Sequence, residues 1–367
     1  MPRAPLPAYS IVIPLWNKRL SITRTLRSVQ VAAADFHHEI VVVDDGSTDG
    51  SGDIVAELAK ADPRIILIQQ ANAGASAARN AGARRSRGGH ILFLDADDEW
   101  RPDHLTEMAH LITSYPDAVL YGTGFARVQG GKITRRSLFG MPPGSGLIPA
   151  YFLSMCFGDM PISSSSGCVP RRIMEETNGF PVGVSHGEDR AFWAEVALRG
   201  PVVVSDKLTA LYHLDAENRS SESWSPARAF GYMNHLGHLL SSLSKGHIRP
   251  GKGSLPDDLL SDHLRENIAA ERYYRGRKLA QNGHFAEVAV QVQLLSRDGY
   301  QAAAATLDAA IANHTGQMPD FFPSERRKSL VKEMEARYYL CGYDDEPHSL
   351  VAPATIRPDQ MTSHRAA

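Results

Sequence analysis

Four short apolar runs recur between residues 11 and 94: Ile11 to Ile13, Ile40 to Val43, Ile65 to Ile68 and Ile91 to Leu94. They are rich in β-branched residues and apolar at successive rather than alternate positions, the pattern of strands covered on both faces. Between them lie segments with helical spacing: Ile22, Leu26 and Val29, then Ile54, Val55 and Leu58, then the alanine-rich stretch from Ala75 to Ala83. A βαβαβαβ order with right-handed crossovers predicts a doubly wound α/β sheet. Such sheets bind ligands beyond the carboxyl ends of their strands, so the residues that follow each run carry the functional information.

The first run ends in Pro14, Leu15, Trp16 and Asn17, the second in Asp44 to Asp49, and the fourth in Asp95, Ala96, Asp97 and Asp98. All three clusters are expected at one edge. Ser47, Thr48 and Asp49 also suit a turn and helix cap, whereas Asp44 and Asp45 sit at the strand tip. Neither GxGxxG nor GxxxxGK[ST] follows the first run, which argues against a dinucleotide or P-loop site. Crowded carboxylates raise one another's pKa unless a cation is present. The Asp95-Ala96-Asp97 spacing at a strand end turns alternate side chains to one side and Ala96 away, which suits hard oxygen ligation of Mg²⁺ or Mn²⁺. Such an ion keeps waters and shares its sphere with substrate phosphates, so a nucleoside diphosphate is the natural partner. Asp98 and Glu99 read equally well as a solvated start to a helix over Pro102 to Ile112.

The 39 Lys+Arg and 41 Asp+Glu of the 367 residues nearly cancel, which excludes a global electrostatic case for nucleic-acid binding. Cys156, Cys168 and Cys341 are far apart and odd in number, against a disulfide framework or a zinc knuckle. The N-terminal segment lacks the apolar core of a signal peptide, and no run approaches the roughly 20 apolar residues that span a bilayer. The expectation is a cytoplasmic protein, with peripheral contact at the inner face of the membrane left open.

Taken together, the stretches IVIPLWN, VVVDDGSTDGS, NAGASAARNAG, FLDADDEW and GFPVGVSHGED resemble the family 2 glycosyltransferases of the GT-A fold, in order and in spacing, over roughly residues 9 to 220. The resemblance implies a mixed, Rossmann-like sheet and inverting transfer of a sugar from a nucleotide-diphosphate sugar, UDP first among them. The acceptor would be a hydroxyl in cell-surface polysaccharide, lipopolysaccharide or glycolipid synthesis. It implies that Pro14, Trp16, Asn17, Asp44 and Asp45 hold the donor's base and ribose; Trp16 stands where Tyr or Phe is usual, keeping the stacking face without the phenol. Arg79 would direct positive charge at the nucleotide, with Asn72, Gly74 and Asn80 shaping the same wall. Asp95, beside Ala96, would touch the ribose or support the metal, Asp97 would bind Mn²⁺ or Mg²⁺, and His213 is a further metal candidate with a structural role as its alternative. Asp189 would be the general base and Glu188 would orient hydroxyls, although an acid pair at a helix start also suits a dipole partner.

The implied organisation is a catalytic domain over 1–225, divided into a nucleotide-sugar half (9–122) and an acceptor half (123–225), then a helical extension over 226–343 and a flexible tail over 344–367. Val202 to Val204 and Leu211 to His213 read as strands, and the polar stretch Asp215 to Ser225 as a loop closing over the donor. Helices are expected over Leu264 to Gln281, Phe285 to Leu295, Ala302 to Ala312 and Arg326 to Tyr339. In the first of them Arg265, Arg272, Arg275, Arg277 and Lys278, interleaved with Tyr273 and Tyr274, suit anionic lipid heads, a lipid-linked acceptor or a solvated helix face. The extension also leaves room for a homo-oligomer. The rival classes are a non-catalytic protein on the same fold and a sugar-phosphate nucleotidyltransferase, the latter short of its Gly-rich loop.

Overall fold

The computed structural model describes residues 8–135, 144–148, 150–156, 160–184, 186–218, 226–251, 256–312 and 354–356. Its first half alternates β1 (Tyr9–Leu15), α1 (Ile22–Ala32), β2 (His38–Asp44), α2 (Ser51–Ala61), β3 (Ile65–Gln69), α3 (Ala75–Arg85) and β4 (His90–Phe93). The order matches the apolar periodicity. β1 pairs in parallel with β2 on one side and with β4 on the other, and β2 continues to β3. Strand order therefore reverses at β1, which opens a crevice between the β1 and β4 ends.

The chain continues through β5 (Glu99–Trp100), α4 (His104–Ser114), β6 (Leu120–Gln129), β7 (Lys132–Arg135), β8 (Ser145–Leu147), α5 (Tyr151–Met155), β9 (Gly167–Pro170), α6 (Arg171–Glu176), α7 (Glu188–Ala197) and β10 (Val202–His213). β9 runs antiparallel to both β4 and β6, so the sheet is mixed. The two short strands expected around Val202 and Leu211 are one strand, β10, with its register on β6 shifted between Ser205 and Leu208 and again before Ala210. Polar Ser205 to Thr209 broke the apolar run and hid this continuity.

Alternate residues of the strands feed two cores, as strand pleating requires. Val12, Ile91 and Phe93 lie in one core with Phe180, Phe192 and Trp193, while Ile11, Ile13, Leu92 and Leu94 meet Ile22, Leu26, Leu105 and Met108 in the other. The C-terminal helices are α8 (Pro226–Ser244), α9 (Asp257–Gln281), α10 (Phe285–Arg297) and α11 (Gln301–Ala312), and β11 (Ala354–Ile356) adds to the edge of β7. The core does not stop at residue 226: Tyr232, Leu236, Leu239 and Leu243 of α8 and Leu260, Leu264 and Ile268 of α9 belong to the same cluster as Phe93 and Trp193. A separate cluster, including Tyr273, Leu279, Val288 and Leu307, joins the rest of α9 to α10 and α11. The helix expected over Arg326 to Tyr339 lies outside the described residues.

Candidate active site

The loops that leave β1 and β2 interlock. Pro14 is set beside Val43 in the parallel register, and the next residues turn out of the sheet. Trp16 is 46% exposed, presenting a large aromatic face to solvent at the crevice. Asn17 adopts φ 51°, a left-handed conformation that Asn tolerates better than most residues. Its Oδ1 accepts the Thr48 N–H at 2.8 Å, and its own N–H donates to Ser47 Oγ at 3.0 Å. Asp44 and Asp45 face inward. Asp44 Oδ1 accepts the Ser47 N–H at 2.9 Å. Asp45 accepts the N–H groups of Ala73 (2.9 Å) and Gly74 (2.8 Å) and the Gln70 amide (2.7 Å), while Asn72 donates to the Asp45 carbonyl at 3.0 Å. Both acids are buried, so their oxygens build the crevice walls. Gly74, at φ 89°, takes a backbone conformation closed to most side chains as it enters α3.

The acidic cluster after β4 is a turn, not a strand end. β4 stops at Phe93, and the Asp98 N–H closes back on the Asp95 carbonyl at 3.0 Å. The four residues separate by environment. Ala96 is buried in the core, its carbonyl accepting Ser21 Oγ and Thr25 Oγ1, each at 3.0 Å. Asp95 Oδ1 accepts Arg79 Nη2 at 2.6 Å and Oδ2 accepts Ser164 Oγ at 2.6 Å. Burial works against its charge, but Arg79 and Ser164 win and hold the carboxyl below its ordinary range. Asp97 Oδ2 pairs with Lys18 Nζ at 2.8 Å; burial still leaves this carboxyl raised. Asp98 is fully buried, held by Ser165 Oγ and by the His213 N–H, and burial with the charges of Asp97 and Asp95 pushes it well up. The reading of Asp98 and Glu99 as a solvated helix start is thus corrected. Asp98 is interior, Glu99 lies in β5, and the helix begins later, at His104.

Arg79 is 3% exposed and spans the crevice floor, with Nη1 donating to Glu188 Oε1 at 3.0 Å opposite its contact with Asp95. Neither a surface position nor an open approach to a nucleotide describes it. Burial works against the guanidinium's charge, yet the two carboxylates raise its pKa above the ordinary value. Beside it Asn80 holds the Phe180 backbone from both sides, N–H to Oδ1 and Nδ2 to carbonyl, each at 2.8 Å. Gly187, at φ 75°, turns the chain so that Glu188 and Asp189 open α7. A helix start favours ionised acids by about 0.3–1 kcal/mol. At Asp189 burial and the adjacent Glu188 charge outweigh that, raising its carboxyl to about 6 against the pull of Arg79.

Among the described residues no three His, Cys, Asp or Glu side chains gather into a metal cage. Asp95 is tied to Arg79 and Ser164, and Asp98 is interior. His213 Nε2 lies 3.3 Å from Glu99 Oε2 without a proper hydrogen bond, beside that acid and away from any gathered ligand set. Asp97 remains: a hard oxygen ligand whose present cation is the Lys18 ammonium. That fits an ion of the magnesium type, which needs few protein ligands when phosphates and waters complete its sphere.

Lys18 was not singled out in the sequence, although it directly follows Asn17. It donates to the carbonyls of Glu217 and, at 3.2 Å, Asn218, and Asn218 Nδ2 reaches the Asn17 carbonyl at 3.2 Å. The start of the 215–225 stretch is thereby fastened to the end of β1; residues 219–225 lie outside the described residues. The hydroxyls of Ser164 and Ser165 sit on Asp95 and Asp98. The basic stretch of α9 is largely neutralised within the protein. Arg272 pairs with Asp298, Arg275 with Glu271 at 3.2 Å and Arg265 with Asp262 at 3.8 Å, while Arg277 lies 5.5 Å from the Tyr274 ring centre. No described helix is long and apolar enough to cross a membrane.

A mixed sheet that reverses order at β1, with an acidic turn and a helix-borne acid pair bridged across the crevice, defines a GT-A-type transferase fold. Residues 10–168 match the model of "Glycosyl transferase family 2". The chain is 28% identical over 227 residues to TuaG of Bacillus subtilis (strain 168), a glycosyltransferase named for teichuronic acid biosynthesis, covering 60% of this chain and 85% of that protein. Two further curated glycosyltransferases are matched over only 17% and 33% of their own lengths. Among solved structures, S. aureus TarS 1-349 in complex with UDP-GlcNAc aligns with TM-score 0.63 at 18% identity, over 90% of this chain and 93% of that one. A Pyrobaculum calidifontis mannosyltransferase in complex with GDP-Man and Mn²⁺ aligns with TM-score 0.54 at 17% identity, over 90% and 85%. The chain thus carries a family 2 glycosyltransferase domain over residues 10–168, in its first half.

Proposed function

We propose that the protein is an inverting glycosyltransferase that moves a sugar from a nucleoside-diphosphate sugar, UDP-linked by preference, to a hydroxyl acceptor in the synthesis of cell-surface polysaccharide, lipopolysaccharide or glycolipid. The observation that carries the reading is the Arg79 bridge: one guanidinium joins Asp95 of the acidic turn to Glu188 of α7, so the donor and acceptor halves meet at one point. Trp16 offers the stacking face for a base, beside Asn17 and the walls built by Asp44, Asp45, Asn72 and Gly74. Asp97 would hold Mn²⁺ or Mg²⁺, with His213 nearer Glu99 than any ligand role requires. When bound, such an ion supplies neutralisation of charge on a departing diphosphate. TuaG's name and the TarS and mannosyltransferase complexes support the substrate class.

The acceptor hydroxyl attacks the anomeric carbon as the bond to the diphosphate oxygen breaks, and that oxygen keeps the electron pair. Asp189 takes the hydroxyl proton, a contribution of typically about 10²- to 10⁴-fold. Its raised pKa suits a group that must accept and release a proton near neutrality. Asp95 and Glu188 are both pinned by Arg79, which leaves neither free as a covalent nucleophile and favours direct displacement with inversion.

The test is a thermal-shift panel of nucleoside diphosphates and nucleotide sugars with and without Mn²⁺. Stabilisation by at least one diphosphate, strengthened by Mn²⁺, is expected; none by any compound defeats the donor site. Asp189→Asn is expected to keep that stabilisation while transfer collapses.

A further inference from the structure

Asp189 is followed by a buried arginine whose direct ion pair lies elsewhere. Arg190 donates its backbone N–H to Asp189 Oδ1 at 2.8 Å, but its guanidinium turns toward the C-terminal helices. There Nη2 meets Glu271 Oε1 at 2.5 Å, and the guanidinium carbon lies 5.0 Å from the ring centre of Tyr232. Glu271 Oε2 is held by Arg275 Nε at 3.2 Å, and Arg275 lies against the same ring from 5.6 Å. Arg190 and Glu271 are both largely buried, with side chains 16% and 6% exposed, so each needs the other. The Nε of Arg190 has no hydrogen-bond partner, so the side chain carries a spare donor.

We infer that Glu271, on α9, is a positioning residue for Asp189: by holding the Arg190 guanidinium against Tyr232, it keeps that group from pairing directly with the adjacent carboxylate and leaves the base free to take a proton. This rests on the assignment of Asp189 as base. The groups facing Asp189 are Glu188 and Arg190 on α7, Arg79 on α3, Asp95 in the acidic turn, Tyr151 on α5 and Tyr232 on α8. Arg79 is already divided between Asp95 and Glu188, so Arg190 is the cation able to redirect onto Asp189. An opposite charge brought to within roughly 4–6 Å lowers a carboxyl pKa by about 1–3 units. A base lowered that far holds a proton too weakly to assist the hydroxyl at neutral pH. The C-terminal helices, far along the chain from the family domain, thereby set the protonation of its acceptor side.

The test needs no donor or acceptor. The Asp189 carboxyl is titrated by ¹³C NMR in the full chain, assigned by its loss in Asp189→Asn. Glu271→Gln should lower its pKa by about one unit or more, and the double variant Glu271→Gln/Arg190→Gln should restore it. Glu271→Asp, the milder change should Glu271→Gln fail to fold, should give a smaller shift in the same direction. An unmoved titration in the single variants, or a double variant that stays shifted, overturns the inference. Transfer retained by Asp189→Asn overturns instead the assignment of the base, and the two failures are read from different measurements.

Discussion

Single residues in this crevice are sorted by burial and by partner more than by chemical type. Four acids stand in or beside the turn after β4, and each meets a different fate: Asp95 ionised on Arg79, Asp97 facing Lys18, Asp98 buried on Ser165, and Glu99 beside His213. Asp189 predicts a pH dependence. Its carboxyl is pushed up to about 6 in the folded protein against 3.8 ordinarily, so transfer should rise with pH through about 6 as the proposed base deprotonates. A profile of kcat/KM against pH checks this, and Asp189→Asn should abolish the limb along with the activity. The stability consequence has the opposite sign. The folded state binds this proton more tightly than the unfolded one, so the group's contribution to stability declines as pH rises from about 4 to about 6 and is level above. At Arg79 the expectation is larger: Arg79→Met leaves Asp95 and Glu188 without their shared cation, and breaking a buried pair costs about 3–5 kcal/mol. Urea denaturation at neutral pH measures it.

At the scale of elements, the crevice is assembled by polar clamps between loops that share no continuous secondary structure. Asp45 ties the end of β2 to the entry of α3, and Asn17 ties the end of β1 to the loop before α2. Asn80 ties α3 to the 178–180 loop by two hydrogen bonds to one peptide strand. Asn80→Ala leaves the N–H and carbonyl of Phe180 unsatisfied in a buried setting, at about 1–3 kcal/mol for each group. Chemical denaturation should register the loss, and the loosened loop should carry α7 and its acids with it, lowering transfer while thermal stabilisation by a bound nucleoside diphosphate persists. The strands themselves were legible in the sequence, because short runs of β-branched residues have few alternatives, although the run Ile65 to Ile68 forms an edge strand that is mostly half-buried and not covered on both faces. The acidic turn was misread as a strand end: spacing alone does not distinguish a two-residue strand period from a tight turn, and the hydrogen bond from the Asp98 N–H to Asp95 decides it.

At the scale of the whole molecule, the C-terminal helices share a core with the family domain. Tyr232 and Leu236 of α8 and Leu264 of α9 complete the cluster that also holds Phe93, Phe180 and Trp193. A chain ended at residue 225 should therefore expose that cluster, and thermal unfolding followed by circular dichroism should lose its single sharp transition. A chain that unfolds as cooperatively as the full protein would show the helices to be an appended unit. The coupling through Arg190 and Glu271 depends on the same contact, since α9 brings Glu271 to α7 across a separation of 81 residues.

By itself the sequence determined the order of the first four strands, the burial of β1, β2 and β4, and the residue types collected at their carboxyl ends, whereas β3, at the sheet edge, is mostly half-buried. Those follow from periodicity and from turn chemistry, which are local. Only the tertiary structure decided which acids share a cation, since Lys18 and Asp97 lie 79 residues apart and Arg79 and Glu188 lie 109 apart. It also decided that Asp44 and Asp45 turn inward, that Asp98 is interior, and that helices beyond residue 226 close over the family domain. An ionisable group's state is set by the charges and the desolvation around it, and those come from whatever the fold brings near.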